Sequence, residues 1–408
     1  MGGAHRSMSD KPTIRRGALA TVWFTLFLDL VAFGIIIPVL PYYASAFGAS
    51  PAVVTLLSTA FSLSQFVFAP VLGALSDRYG RRPVMLISIA GSCAAMLALA
   101  GSHALWMVFL ARLVGGMSNA NISTAHAYVA DLVPAGQRAK YMGLMGSAIG
   151  LGFVFGPALG GLLSDPSNPE LPFFAGAALA AVNWVMALVL LPETHHGGRA
   201  GTKSARPRLF KAIRTTLWGT QVGWLVLTYF GFFAVFSGME STFALFCEAV
   251  FGWGSRQTGY LFSLIGVVIL ITQGALVGRC VAWAGERRTM LLGLAILAAG
   301  LTATAMAPNV PILALGGAAI AMGNGLATPS MSALVSQHTS AEDQGWAQGL
   351  AQSAAAFARI LSPIGAGLLF ELVAPGLPML VGAAVIVVWL LPTVATRISA
   401  PSVAPTTD

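Results

Sequence analysis

The chain has 408 residues, of which 56% are hydrophobic and only 9% charged. A soluble domain carries roughly 25% charged residues, so this chain lacks the charge to cover a water-facing surface, and most of its surface must meet lipid. The net charge of +8 does not point to nucleic acid: the basic residues sit in short loops between apolar runs, a placement that reads as topology.

A bilayer core of about 30 Å needs about 20 apolar residues per helix. The hydropathy pattern predicts helical spans at about 18–40, 52–75, 84–102, 105–129, 141–163, 173–192, 219–246, 257–280, 289–306, 310–334, 345–370 and 376–395. Residues 1–17 form an N-terminal tail with no apolar core before a cleavage site, so no signal peptide is expected, and Met8 is an alternative start. Span 1 carries Asp29 within Leu28-Asp29-Leu-Val-Ala-Phe-Gly34-Ile-Ile-Ile-Pro38-Val-Leu-Pro41. Span 2 holds Gln65 and runs into a loop, Gly73-Ala-Leu-Ser-Asp77-Arg78-Tyr-Gly80-Arg81-Arg82. Its glycines allow a tight turn. Asp77 suits the N-terminus of a neighbouring helix, and the arginines suit Asp131 at the end of span 4.

Span 4 contains Arg112, Gly115-Gly116, Asn119, Asn121 and His126. Span 5 bears a small-residue stripe, Gly146, Gly150, Gly152, Gly156-Pro157 and Gly160-Gly161, which lets helices approach closely and bend. Residues 18–192 form a first six-helix bundle, and residues 193–218 form a basic linker. Residues 219–395 form a second bundle, and residues 396–408 a C-terminal tail. The second bundle holds Phe236 and Glu240 in span 7, Gln273 in span 8, Asn324 in span 10, and Gln352 and Arg359 in span 11.

Of the 22 Lys and Arg residues, 19 fall in the tails, the linker and the even-numbered loops. Arg256 stands alone in the opposite loops, and Arg112 and Arg359 lie inside spans. Both termini and the linker are therefore expected on the cytoplasmic side of a cell (inner) membrane. The two halves also repeat. At an offset of 206, residues 131–165 lie over 337–371, matching Gly143 with Gly349, Pro157 with Pro363 and Gly161 with Gly367. An even number of spans per half makes the repeat parallel, with the substrate cavity between the halves and spans 1, 4, 7 and 10 lining it.

The 73–82 loop matches the signature loop of the major facilitator superfamily. Its second copy keeps Gly278, Gly285 and Arg287 but has Ala282 in place of the Asp. The Gly-x3-Gly-Pro-x2-Gly-Gly pattern of span 5 resembles that superfamily's antiporter signature. With the span 1 motif, these residues resemble the drug/proton antiporter branch that holds the tetracycline efflux proteins. The resemblance implies an all-α major facilitator fold of twelve helices in two bundles. The chain departs from that branch where tetracycline exporters tend to carry acidic residues in spans 3 and 9 and a His in span 8: here stand Ala95, Leu297 and Ile269. Glu240, Arg359 and the Gly115-Gly-Met-Ser-Asn119-Ala-Asn121 run look more like the tetracycline transporter-like carriers of organic anions and drugs, which counts against tetracycline itself.

Ionisable groups inside a membrane are functional candidates by default. Burial disfavours a charged carboxylate and a nearby guanidinium favours it, so a movable arginine can switch proton occupancy. Asp29 and Glu240 are either proton or substrate groups, or static partners of Arg112 and Arg359 respectively. Gln65, Asn119, Asn121, His126, Phe236, Gln273, Asn324 and Gln352 are candidates to line the cavity, or to act as interhelical glue. Glu248 and Glu371 sit near span ends and are expected to be solvated. No GxxxxGK[ST] loop is present, so ATP is not the direct energy source. Cys93, Cys247 and Cys280 show no metal spacing, and neither cofactor nor metal is expected. The expected function is a monomeric antiporter that exchanges protons for an amphipathic drug or organic ion, with lipid around it and no nucleic-acid partner. The alternative is a carrier of the same fold for a physiological small solute, a metabolite or organic anion. A membrane enzyme has no support in the residues.

Overall fold

The structure is a computed structural model that describes residues 16–119, 121–134, 137–194, 220–339 and 343–395. Most of both tails and of the basic linker lies outside the described residues. The described residues fold into helices α1 (Arg16–Ala46), α2 (Pro51–Tyr79), α3 (Arg81–Ala100), α4 (Leu105–Ser118), α5 (Asn121–Leu132), α6 (Arg138–Leu163) and α7 (Leu171–Leu190). These are followed by α8 (Gln221–Phe251), α9 (Ser255–Ile271), α10 (Val277–Ala305), α11 (Val310–Gln337), α12 (Gln344–Leu372) and α13 (Leu377–Ala395). A helix satisfies its backbone polar groups internally, which lipid requires.

Nine stretches of described helix are long and apolar enough to cross a membrane. One of them, Ser255–Ala305, is 51 residues long, or about 77 Å at 1.5 Å per residue, and is two crossings. The helix breaks at Gly285, whose φ of 77° and ψ of 165° are not helical. Gly80, with φ of 105°, makes the equivalent turn between α2 and α3. Both positions need a residue without a Cβ. With that division, the pair α4–α5 read as one interrupted crossing, and the shorter apolar helix Leu377–Leu391, the described helices supply twelve crossings. Predicted span 4 is thus two helices, and α10 already begins at Val277, inside what hydropathy assigned to span 8. A π-helical turn, Thr272–Leu276, joins α9 to α10.

The loops fall at two ends. The tail side carries the start of α1, the end of α13, and the turns at Gly80 and Gly285; the far side carries the α1–α2, α6–α7 and α8–α9 turns. One apolar cluster joins the far-side ends of α1 and α2, including Ile36, Tyr43 and Leu57, to Phe232, Phe243, Leu297 and Phe370 of the second half. A second cluster, including Leu19, Val22, Tyr128 and Met145, stays within the first half toward the tail side. The shared core therefore closes the far side.

Polar contacts between the halves follow the same division. Tyr42 Oη lies 2.7 Å from Thr258 Oγ1 and donates to the Ala244 carbonyl at 3.1 Å. Thr59 Oγ1 donates to the Ile360 carbonyl at 3.1 Å. Ser50 Oγ and Ala52 N donate to Glu371 at 2.7 and 2.9 Å. Glu371, expected to be solvated, is exposed but engaged across the halves.

Candidate transport site

The site begins in the interruption of the fourth crossing. After Gly115-Gly116 the chain leaves the helix at Asn119, with φ of −85° and ψ of 68°, and restarts at Asn121. A helix N-terminus is thereby set inside the bundle, where it favours negative charge. Asn121, fully buried, stands beside Asp29 of α1, and its amide makes no hydrogen bond of normal geometry. Asp29, Arg112 and Asn119 line one cleft together with Phe33, Phe61, Ser92, Ala95 and Met96.

Arg112 is 6% exposed, with its guanidinium carbon 4.3 Å from the centroid of the Phe61 ring. Its Nε has no hydrogen-bond partner. An arginine at mid-membrane costs roughly 2.5–3.5 kcal/mol on insertion scales, and the ring offsets part of that. In the second half, the Arg359 guanidinium lies 5.3 Å from the Phe233 ring centroid. The charges acting on Glu240 of α8 are those of Arg359 and of Arg112, so one carboxyl is under the influence of a cation from each half. Among the described residues the ion pairs within 4.0 Å are those of Arg81 with Asp77 and Asp131. Neither Asp29–Arg112 nor Glu240–Arg359 forms a closed static pair.

The structure therefore brings Asp29, Arg112, Asn119 and Asn121 together, with Glu240 electrostatically joined to Arg112 and to Arg359. The cleft is walled by α1 to α4, with Phe61 of the second crossing and Ser92, Ala95 and Met96 of the third beside the residues of spans 1 and 4. The other candidates stand outside its walls. Gln65 and His126 are half-buried on α2 and α5, Gln273 and Gln352 are exposed, Phe236 stacks on Phe232 at 6.1 Å, and Asn324 accepts from Thr328 at 2.8 Å. The break at Asn119 and the aromatic wall were missed; the Gly-Gly pair and the two asparagines were the signal for the break.

Of the expected loop, residues 73–79 end α2 and 81–82 begin α3, with Gly80 alone between them; there Arg81 reaches Asp77 at 2.5 Å and Asp131 at 3.0 Å. Asp131 is thus met by an arginine as expected, and the Arg81–Asp131 contact is a strut within the first half. Glu193, unremarked in the sequence, accepts from the backbone of Arg81 at 3.0 Å and of Arg82 at 3.2 Å, capping α3. Arg82 donates to the Leu188 carbonyl at 2.7 Å, and Arg78 lies over the Tyr79 ring at 5.1 Å. Gly73 faces open space.

The glycines of α6 divide into two faces. A Cβ on Gly156 would meet Gly34 Cα at 2.6 Å, and one on Gly160 the Ile35 carbonyl at 2.6 Å, while Gly152 abuts Leu30. These pack α6 on α1 within the first half. Gly161 faces Gly259 and Gly150 faces Leu270 across the halves, and Gly146 meets nothing within 4 Å. Pro157 sits inside α6 against Gly34.

The family model described as Major Facilitator Superfamily matches residues 22–283 and 274–407. The chain belongs to the major facilitator superfamily. A class G tetracycline resistance protein of Vibrio anguillarum is 33% identical over 352 residues, 83% of this chain and 86% of that protein. Major facilitator superfamily domain-containing protein 10 of Bos taurus is 31% identical over 417 residues, 89% of this chain and 90% of that one. The crystal structure of the human organic anion transporter MFSD10 (TETRAN) superposes with a TM-score of 0.71 at 26% identity, over 93% of this chain and 99% of that one. Family and apolar helices together make this chain a multi-pass membrane transporter of small molecules, not an enzyme.

Proposed function

We propose that the chain is a proton-coupled antiporter that exports amphipathic drugs or organic ions by alternating access, with Asp29 and Glu240 carrying the coupling protons. The observation that carries this reading is the set of four ionisable side chains within the crossings, drawn from both halves, Arg112 buried and Asp29, Glu240 and Arg359 half-buried, with no closed ion pair among them. An antiporter needs a group whose proton and substrate occupancy exclude each other. A carboxyl that is protonated sheds the cost of a buried charge and lets the empty carrier return; deprotonated, it holds a cationic drug. Arg112 and Arg359 set when each proton leaves. The resistance proteins among the relatives support a drug substrate, and the lysine and arginine distribution supports cytoplasmic termini. The experiment is direct: purified protein in vesicles with a pH-sensing dye, challenged with lipophilic cations. Proton movement opposite to the drug supports antiport, and drug movement with no proton movement sinks it.

A second reading is favoured by Arg112 and Arg359 themselves, and by the likeness to the human organic anion transporter. If the substrate is an anion, the two arginines are its ligands. Protonation of Glu240 then frees them, so proton and anion travel together. The sign of proton movement on adding an organic anion separates the two readings.

A further inference from the structure

Helices α2 and α12 pack against each other antiparallel and belong to different halves. Each carries an acidic residue near its C-terminal end: Asp77 on α2, at the tail side, and Glu371 on α12, at the far side. Each acid therefore lies level with the N-terminus of the other helix, where unpaired backbone N–H groups favour an anion. Among the described residues only one of these two arrangements is made. Glu371 accepts from Ala52 N, in the first turn of α2, at 2.9 Å and from Ser50 Oγ at 2.7 Å. Ser50, the N-cap residue of α2, makes no capping bond of its own with its side chain; the cap is supplied by the other half. Just inward, Gly367 of α12 lies so close to α2 that a Cβ there would stand 3.0 Å from Ala52 Cα. At the other end Asp77 has a side chain 65% exposed and pairs with Arg81 of its own half.

We propose that Glu371 is a far-side latch that holds the two halves together in this state and must let go for the far side to open, exchanging with Asp77 at the other end of the same helix pair. The N-terminus of α2 is capped in trans only while the far side is shut. Opening that side separates Ser50 and Ala52 from Glu371 and leaves the first turn of α2 to water. A latch of this kind biases the two-state equilibrium by the differential strength of its contacts. It sets which way the carrier rests and not what it binds.

The inference rests on the alternating-access reading but not on protons or on the substrate. The native thiol of Cys247 is fully buried near Tyr42 and Thr258 on the far-side seam. With Cys93 and Cys280 replaced by Ser, its labelling by a membrane-impermeant maleimide from the far side reports opening of that side. Glu371→Gln, which weakens both bonds without changing size, should raise the labelling rate by about ten-fold; Ser50→Ala should raise it less, and Asp77→Asn should lower it. A rate for Glu371→Gln equal to or below that of the parent overturns the latch. Ser50→Cys with Glu371→Cys, joined by a short bifunctional maleimide in the Cys-free protein, should abolish transport. If the joined protein still transports, alternating access itself fails. If it is blocked but Glu371→Gln leaves labelling unchanged, only the latch fails.

Discussion

On the far side Gly161 of α6 sits against Gly259 of α9, a Cβ on it lying 3.0 Å from Gly259 Cα, and Gly266 presses on the backbone of Phe153. Toward the tail side the same two crossings carry Gly143, Gly146, Gly274 and Gly278, and none of these meets anything within 4 Å among the described residues. The same residue type therefore serves two purposes along one seam. Where the seam is shut, glycine permits backbone contact; where it is open, glycine leaves room. The antiparallel register set by Gly161 with Gly259 and Gly150 with Leu270 runs on to place Gly146 opposite Gly274. That empty stretch is the surface expected to close when the far side opens, with the π-helical turn at Thr272–Leu276 just beyond the last contact, where a helix bends most readily.

Substitutions that add volume break this comparison in graded ways. Gly156→Leu has the largest expected effect. It overpacks α6 on α1, a contact within one half that no conformational change relieves, at about 1–3 kcal/mol or more. Transport should vanish and the thermal midpoint should fall, while the protein still inserts in the membrane; normal activity would show that this contact is not tight. Gly161→Leu acts on the seam instead. It should drive the far side apart, seen as raised thiol labelling of Cys247 and transport reduced by about ten-fold or more, with a smaller loss of stability than Gly156→Leu. Gly146→Leu should leave the stability of the present state within about 0.5 kcal/mol yet slow turnover, because it obstructs only the state closed at the tail side. Equal thermal midpoints and equal turnover for Gly146→Leu and the parent would mean that this stretch stays open throughout the cycle.

The fold was legible because lipid imposes a length and a composition on each crossing, and because the repeat between 131–165 and 337–371 survives in the sequence. The motif at 73–82 was legible because local geometry calls for its residues: Gly80 needs a positive φ, and Arg81 has carboxylates on either side. What hydropathy did not show was the break at Asn119. The segment around it is apolar enough to pass for continuous helix, since a buried break needs local polar partners and not a polar stretch. Glu371 looked solvated because its partners lie 319 and 321 positions away. Likewise, the sequence left Asp29 and Glu240 as either proton or substrate groups or static partners of Arg112 and Arg359. In the packed halves Glu240 is under the charge of both Arg359 and Arg112, and Asp29 stands beside Asn121, at the head of α5.

The central claim is that Asp29 and Glu240 carry the coupling protons, and uphill accumulation in vesicles tests it most directly. Asp29→Asn and Glu240→Gln, each fixed in the likeness of the protonated carboxyl, should still exchange substrate down its own gradient. Neither should concentrate it when only a pH gradient is imposed, and the double variant should show no response to that gradient. If the single variants and the double variant all concentrate substrate with the pH dependence of the parent, the coupling protons ride elsewhere and the assignment is wrong.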